Sequence, residues 1–322
     1  ERIAALEPVG RRQLSARLNM PEREIRAVAS VLKEEGFIEL DAAGMTLTPK
    51  AASILPDARE FSRAMRGLTD LETRLASALG IDHVYIVAGD YDRDEHVLQD
   101  VGRLAAVRVR PLLSSGCTLA VTGGPTRGQV AHFIQSVVQP NVMVVPARGG
   151  MGRTVETQAN TLAAEIARNL GGHHRLMHLP DHMDAAAMQE MLKLPEVREA
   201  IELLQRADVI LHGIGRADDM AQNRHLPQSL IRRLGEEGAV AEAFGYYFDQ
   251  DGRCLYSASS VGVDLKNLQP TCQMVAVAAG RRKAEAIISV MRHLHHAMLV
   301  TDEGAAAEIL RLTAQTKGLQ AL

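Results

Sequence analysis

Seven short apolar runs recur between His83 and Val300 with amphipathic stretches between them, and this alternation constrains the fold more than any other feature of the chain. The runs are His83 to Val87, Thr118 to Val121, Val142 to Val145, His174 to His178, Val209 to Leu211, Met274 to Ala278 and Met298 to Val300. Strand-length apolar runs alternating with helical stretches are the βαβ pattern of an α/β fold with a doubly wound, mostly parallel sheet. The segment from Ala239 to Leu255 interrupts the pattern. Its Asp-Gly pair between two β-type runs predicts an inserted hairpin.

In such sheets ligands collect at the carboxyl ends of the strands, so the residues after each apolar run are the candidates for chemistry. The run ending at Val121 leads into Thr-Gly-Gly-Pro-Thr. Gly123 and Gly124 allow a sharp turn and close backbone approach, Pro125 follows, and Thr126 adds a hydroxyl. Arg127 to Val138 reads as a helix, whose first N–H groups and positive dipole end would face the same point and suit a phosphate. The segment lacks the Gly-Lys-Ser/Thr ending of a Walker loop and the spacing of the dinucleotide fingerprint. A bare strand-to-helix turn is the alternative reading. Arg148 follows the third run and offers a bidentate guanidinium. Gln158 and Asn160 open the next helix as amides for sugar hydroxyls or as caps. His212 to Gly215 reads as a strand-end turn. Asn223 and Arg224 sit in a polar loop, Glu242 lies in the hairpin, and Lys283 stands near a helix start as a second anion candidate.

The first fifty residues form a separate pattern. A helix around Ile3 to Leu6, a helix from Arg11 to Leu18, a turn at Asn19-Met20-Pro21 and a helix through Glu35 precede Gly36, a C-cap glycine. Residues 37–40 and 45–48, on either side of Gly44, predict a small hairpin. Helix, turn, helix and hairpin together give a winged helix-turn-helix. Ile25, Val28 and Leu32 mark one side of the third helix, and Arg23, Arg26, Ser30 and Lys33 mark another. That polar stripe suits a DNA groove, with Arg11, Arg12 and Arg17 of the preceding helix on phosphates. Eight basic residues are matched by eight acidic ones over residues 1–50, so a solvated face on a protein-interaction module is the competing reading. Residues 53–80 are apolar at helical spacing and predict a helical connector between a DNA-binding domain at 1–52 and a ligand-binding domain at 81–322.

Composition narrows the classes. With 322 residues, 46% of them hydrophobic, the chain is long enough for two domains. Aromatic residues at 3%, with no Trp, argue against a base-stacking platform, and a net charge of −3 argues against a general polyanion binder. Cys117, Cys254 and Cys272 lie in apolar runs and suit buried thiols of a reducing cytoplasm. Neither a signal peptide nor a bilayer-length apolar run is visible, and a membrane is not an expected partner. The chain begins at Glu1 without Met, so an upstream segment is expected. His173, His174, His178 and His182 with Asp181 and Asp184, and His293, His295 and His296, lack the spacing of a zinc helix motif, and no metal or cofactor is expected.

The winged helix followed in order by TGGPT, PARGG, TQANTLA, AEAFGYYF, VGVDLKNLQP and AGRRKAEAI resembles the SorC/DeoR-type sugar-phosphate-responsive repressors over nearly the whole chain. The resemblance implies a ligand domain like sugar-phosphate isomerases and glucosamine-phosphate deaminases, operator DNA as partner, a dimer or tetramer, and a phosphorylated sugar as inducer. For the glycolytic regulators of that family the implied inducer is fructose 1,6-bisphosphate. It also implies that Gly123, Gly124, Pro125, Thr126, Arg148, Gln158, Asn223, Arg224, Glu242 and Lys283 contact the effector. Pro125 stands where a hydroxyl residue is expected and removes one N–H. The rival from another class is a sugar-phosphate isomerase or deaminase with Glu242 or Asp264 as base, but no compact acid–base pair accompanies the glycine loop.

Overall fold

A computed structural model of the chain describes residues 2–18, 20–134, 141–150, 155–179, 185–258, 261–294 and 298–320. Asn19 of the expected turn, residues 135–138 of the expected helix, and Asp181, His182, Asp184, His295 and His296 of the histidine clusters lie outside them. The chain divides into two compact units, Glu1–Thr69 and Asp70–Leu322.

In the first unit α1 (Arg2–Leu6), α2 (Arg11–Leu18) and α3 (Glu22–Glu34) precede a hairpin of β1 (Ile38–Leu40) and β2 (Met45–Leu47). This is the helix-turn-helix and wing order read from the sequence. Ile3, Val9, Leu14, Ile25, Ala29, Ile38 and Met45 form its core. Gly36 ends α3 at φ 71°, and the Asp41 side chain accepts from the N–H groups of Ala43 and Gly44 to shape the wing tip. One expectation for α3 fails: Val28 is 51% exposed, and Ala29 is the buried residue between Ile25 and Leu32.

The helical connector comprises two helices. Thr48 caps α4 (Pro49–Met65), accepting from the Ala51 N–H, and α4 ends at Arg66. Gly67 then turns at φ 66°, and α5 (Leu68–Leu79) begins. The apolar spacing continued across that glycine, which hid the break. Phe61 and Met65 are largely exposed, whereas Leu68 and Leu75 are buried.

The second unit is built on β3 (His83–Val87), β4 (Thr118–Val121), β5 (Met143–Pro146), β6 (His173–His174), β7 (Val209–His212), β12 (Gln273–Val277) and β13 (Met298–Asp302). They lie in the order β3-β13-β12-β7-β4-β5-β6, every neighbouring pair parallel. The run from His174 to His178 contributes only its first residue to β6; the Arg175 N–H still bonds the Val144 carbonyl, and the chain then leaves the ladder. Between the strands come α6 (Val97–Val109), α7 (Pro125–Phe133), α8 (Ala159–Leu170), α9 (Ala185–Met191), α10 (Pro195–Gln205), α13 (Ala284–His293) and, last, α14 (Glu303–Gln320). Val121, Val144, Leu211, Val275 and Val300 pack with α6, α7 and α8 on one face. The alternate residues Ala120, Val145, Ile210, Ala276 and Leu299 are equally buried, with α10 against β4 and β5 and α14 against β3 and β13. Chain progression reverses between β4 and β7: β5 lies beyond β4 on one side and β12 beyond β7 on the other. Their carboxyl ends therefore open a switch-point crevice.

After β7 the chain forms β8 (Gly215–Arg216), α11 (Ala217–Asn223), α12 (Gln228–Glu236), β9 (Ala239–Ala243), β10 (Tyr246–Asp249) and β11 (Cys254–Ser257). The expected hairpin is thus part of a four-stranded antiparallel sheet, β11-β10-β9-β8. The Asp-Gly segment joins β10 to β11, while β9 and β10 meet at Phe244 and Gly245, both at positive φ (57° and 90°). That turn went unread because Phe rarely adopts such a backbone; its ring is held against His212, 4.4 Å between centroids. Cys117 is buried as expected, but Cys254 on this sheet is exposed, contrary to the buried-thiol reading. No described helix is long and apolar enough to cross a membrane.

Close approach of α6 and α7 fixes the helix that carries the glycine loop. A Cβ on Gly102 would lie 2.8 Å from the Gln129 carbonyl carbon and collide with its side chain. Gly102→Val is expected to cost about 1–3 kcal/mol through overpacking, read as a lower urea midpoint at unchanged m-value. An unchanged midpoint would mean that α7 can retreat freely.

Candidate functional site

The β4–α7 loop is the centre of the site. The Thr122 N–H bonds the Leu211 carbonyl, and its Oγ1 accepts from the Gly213 N–H at 3.3 Å, tying this loop to the end of β7. Gly124 adopts φ 121°, ψ 161°, and Pro125 is the first residue of α7. The helix therefore begins two residues before the expected Arg127, because a proline with fixed φ suits N1. Loop donors are fewer than the sequence implied. Gly124 gives its N–H to the Thr157 carbonyl at 2.7 Å, and Pro125 has none. The N–H groups of Thr126 and Arg127, at N2 and N3, lack intrahelical partners by position. Thr126 is buried.

Arg127 lies across this crevice. Its Nε donates to the Gly123 carbonyl at 3.0 Å and its Nη2 donates to the same oxygen. The guanidinium occupies the space where a Cβ of Gly124 or Gly213 would sit, which explains glycine in both loops. Burial brings its pKa down to about 10, with the Glu242 carboxylate opposing.

A second cationic group surrounds Glu242 of β9, which is 4% exposed. Glu242 Oε1 accepts from the Gly245 N–H at 2.6 Å and from Arg224 Nη2 at 3.0 Å, and lies 3.9 Å from Arg148 Nη1. Arg148, also buried, extends from the end of β5, pinned by its bridge to Gly262 and by the Gly149–Val261 and Val263–Ala147 hydrogen bonds. Its guanidinium fills the Cβ position of Gly245. Tyr247 pairs across the strands with Glu242, and its buried hydroxyl has no hydrogen-bond partner among the described residues. Burial, then Glu242, raises that phenol above its usual range.

Lys283 occupies the N-cap position of α13, after the end of β12. Burial first, then the Arg127 cation, bring it down to about 8, against the pull of Asp92, Asp219 and Asp302. The structure thus gathers the Gly123–Thr126 loop and Lys283 with Arg127, and Arg148 and Arg224 with Glu242. Gln158 is the N-cap residue of α8, next to Thr157 on the loop, and its side chain does not cap the helix. Asn160 is committed elsewhere, donating to the Met177 carbonyl and accepting its N–H, both at 2.9 Å, so it is neither cap nor free amide. Asn223 ends α11 exposed; its neighbour Arg224 is the residue that reaches Glu242. Asp264 accepts from Lys266 and Asn267 within its own turn. Arg127 and Tyr247 were missed. Arg127 was read only as a helix start, although an N3 side chain can fold back over the loop before it.

On the first unit Arg11, Arg12, Arg23, Arg26, Ser30 and Lys33 are all exposed. Arg12 and Arg26 each lie 3.7 Å from Glu22, which links α2 to α3 through one carboxylate. Among the described residues no three His, Cys, Asp or Glu side chains form a metal-binding group.

The family described as "Putative sugar-binding domain" matches residues 63–311, and the "CggR N-terminal DNA binding domain" matches residues 1–61. A DNA-binding unit followed by a sugar-binding α/β unit defines a transcriptional regulator. The central glycolytic genes regulators of Priestia megaterium and Bacillus subtilis are each 37% identical to this chain, covering 96% of it and 91% of the relative. A solved Enterococcus faecalis structure described as "putative SorC family transcriptional regulator" is 37% identical, with TM-score 0.70 over 75% of this chain and 99% of that one. The chain belongs to the SorC-type family of the central glycolytic genes regulators. Its relatives are named as regulators, not as enzymes.

The depressed Lys283 pKa has a definite sign. Between about 8 and the ordinary 10.5, the unfolded chain holds a proton at this residue that the native one has lost. Stability therefore rises with pH across that window, as the cost of a buried ammonium disappears. Lys283→Met should abolish this increment: in urea unfolding from pH 7 to 10, wild type gains on the variant above pH 8. Parallel profiles would place Lys283 in solvent.

Proposed function

We propose that the chain is a cytoplasmic repressor of central glycolytic genes whose hold on operator DNA is released by fructose 1,6-bisphosphate. One observation carries the reading: two cationic groups, Arg127 with Lys283 and Arg148 with Arg224, belong to the same switch-point crevice, with Glu242 between them in charge. Two phosphates on one sugar fit two such groups, the first also receiving the N-terminus of α7. Gln158 and Glu242 serve the sugar hydroxyls, and the Tyr247 hydroxyl is a further donor in reach of the same cluster. The names of the curated relatives support the regulated pathway.

On the DNA side α3 enters the major groove with Arg23, Arg26, Ser30 and Lys33, while Arg11 and Arg12 fix the backbone register. Helix-turn-helix proteins read paired half-sites, so the chain works as a homo-oligomer, a dimer or tetramer. Release by effector requires two states that differ in affinity for both ligands, and the coupling is then reciprocal.

The test is a thermal-stability panel of fructose 1,6-bisphosphate, fructose 6-phosphate, glucose 6-phosphate, dihydroxyacetone phosphate and fructose. The bisphosphate at 100 times its Kd should stabilise by about 2.7 kcal/mol and exceed the others at equal concentration. A response to monophosphates alone would change the inducer. Arg26→Ala should weaken binding to duplexes selected from a random library about tenfold, without altering the bisphosphate Kd. Unaltered DNA binding in both Arg26→Ala and Arg23→Ala would remove α3 from the groove.

A further inference from the structure

We infer that Arg127 is the residue that makes the β4–α7 loop select a dianionic phosphate, standing in for the backbone donors this loop has given up. The inference rests on the proposed effector reading and adds a residue to it. An ordinary phosphate cradle at a helix N-terminus works through successive free N–H groups. Here Gly124 spends its N–H on the Thr157 carbonyl, and Pro125 has none to give. The lost capacity is replaced from the next residue but one. Arg127 folds back and anchors Nε–H and one Nη2–H on the Gly123 carbonyl. A guanidinium has five N–H groups, so the anchored side chain keeps three to offer.

Position makes those groups available to a ligand. The guanidinium lies where the loops after β4 and β7 face each other, over Gly124 and Gly213. Lys283 approaches from the end of β12. The groups facing Lys283 are Arg127, Asp92, Asp219 and Asp302, and the carboxylate facing Arg127 is Glu242. Two neighbouring cations of low exposure disfavour each other, and a ligand carrying two negative charges relieves both at once. A carboxylate relieves them less, because it brings one negative charge where a phosphate brings two, and a hydroxyl brings none. Pro125 strengthens the effect by leaving side-chain cations as the main donors.

The experiment measures the Kd of the full chain for fructose 1,6-bisphosphate from pH 7 to 9.5, in wild type, Arg127→Met and Arg127→Lys. At pH 7 Arg127→Met should bind about 30-fold more weakly and Arg127→Lys about tenfold, since the lysine keeps charge without the planar fork. A merely structural role would not move the second readout. Wild-type affinity falls as pH rises through about 8, and in Arg127→Met that fall shifts to higher pH, because Lys283 has lost its cationic neighbour. Binding by Arg127→Met within threefold of wild type, with the same pH midpoint, overturns the inference. If Arg127→Met does not fold, Arg127→Lys carries the affinity comparison alone, and binding within threefold of wild type at pH 7 overturns the inference. Inorganic phosphate, titrated against thermal stability, separates this inference from the sugar assignment. Phosphate stabilising wild type but not Arg127→Met keeps Arg127 as the phosphate contact even if the bisphosphate does not bind; equal stabilisation of the two proteins, or of neither, overturns the inference and leaves the effector reading to the bisphosphate titration.

Discussion

One buried carboxylate holds the ligand-binding unit in electrostatic order. Glu242 accepts from Arg224 and the Gly245 N–H, lies beside Arg148, and opposes the loss of charge on Arg127. Around it stand Arg127, Arg148 and Arg224, while Lys283, beside Arg127, has Asp92, Asp219 and Asp302 as its own counter-charges. Burying charge is costly, and in the native unit burial pulls Arg127 and Lys283 below their ordinary pKa values, with the Arg127 cation a second cause at Lys283. The fold meets that cost at the carboxyl ends of β4, β5, β7 and β12, where the parallel sheet already leaves a crevice. A polyanion entering the crevice would therefore be bound by relief of a cost as well as by the contacts it makes.

The backbone follows the side chains here. Gly124 and Gly213 leave room for the Arg127 guanidinium, and Gly245 leaves room for that of Arg148. Gly245 also completes the turn that presents Glu242, and Phe244 bears its positive φ because its ring has His212 to pack on. Thus Gly124 of the TGGPT segment, Gly245 of the AFGYY segment and Gly213 after β7 serve as clearance for cations as much as for sharp turns.

Much of this was legible in the sequence. The five inner strands, β13, β12, β7, β4 and β5, were visible as apolar runs because strands buried on both faces need apolar side chains at nearly every position, whereas β6 at the edge keeps only His174 of its expected run. The three helices before the wing were legible from turn residues and spacing. What escaped depended on contacts that spacing does not encode. Val28 and Ala29 are both apolar, and only packing decides which faces the core. Gly67 divides α4 from α5 within an unbroken apolar period. Asn160 reads as a free amide until the Met177 backbone is placed beside it. Arg148, Arg224, Glu242 and Lys283 were singled out by their place after strands or by family resemblance, but the partnership of Arg127 with Lys283 joins two residues more than 150 positions apart and is visible only in three dimensions.

The sheet ends on one side at β6, which pairs for only two residues, His173 and His174. An outer strand that short exposes few unpaired backbone groups, and both of its side chains are exposed imidazoles that offer no apolar face to a partner. That edge makes a poor template for another strand. Copies of this chain brought together at high local concentration are thereby steered away from continuous cross-chain sheets, and their association is left to side-chain surfaces, where charge and shape can set its stoichiometry.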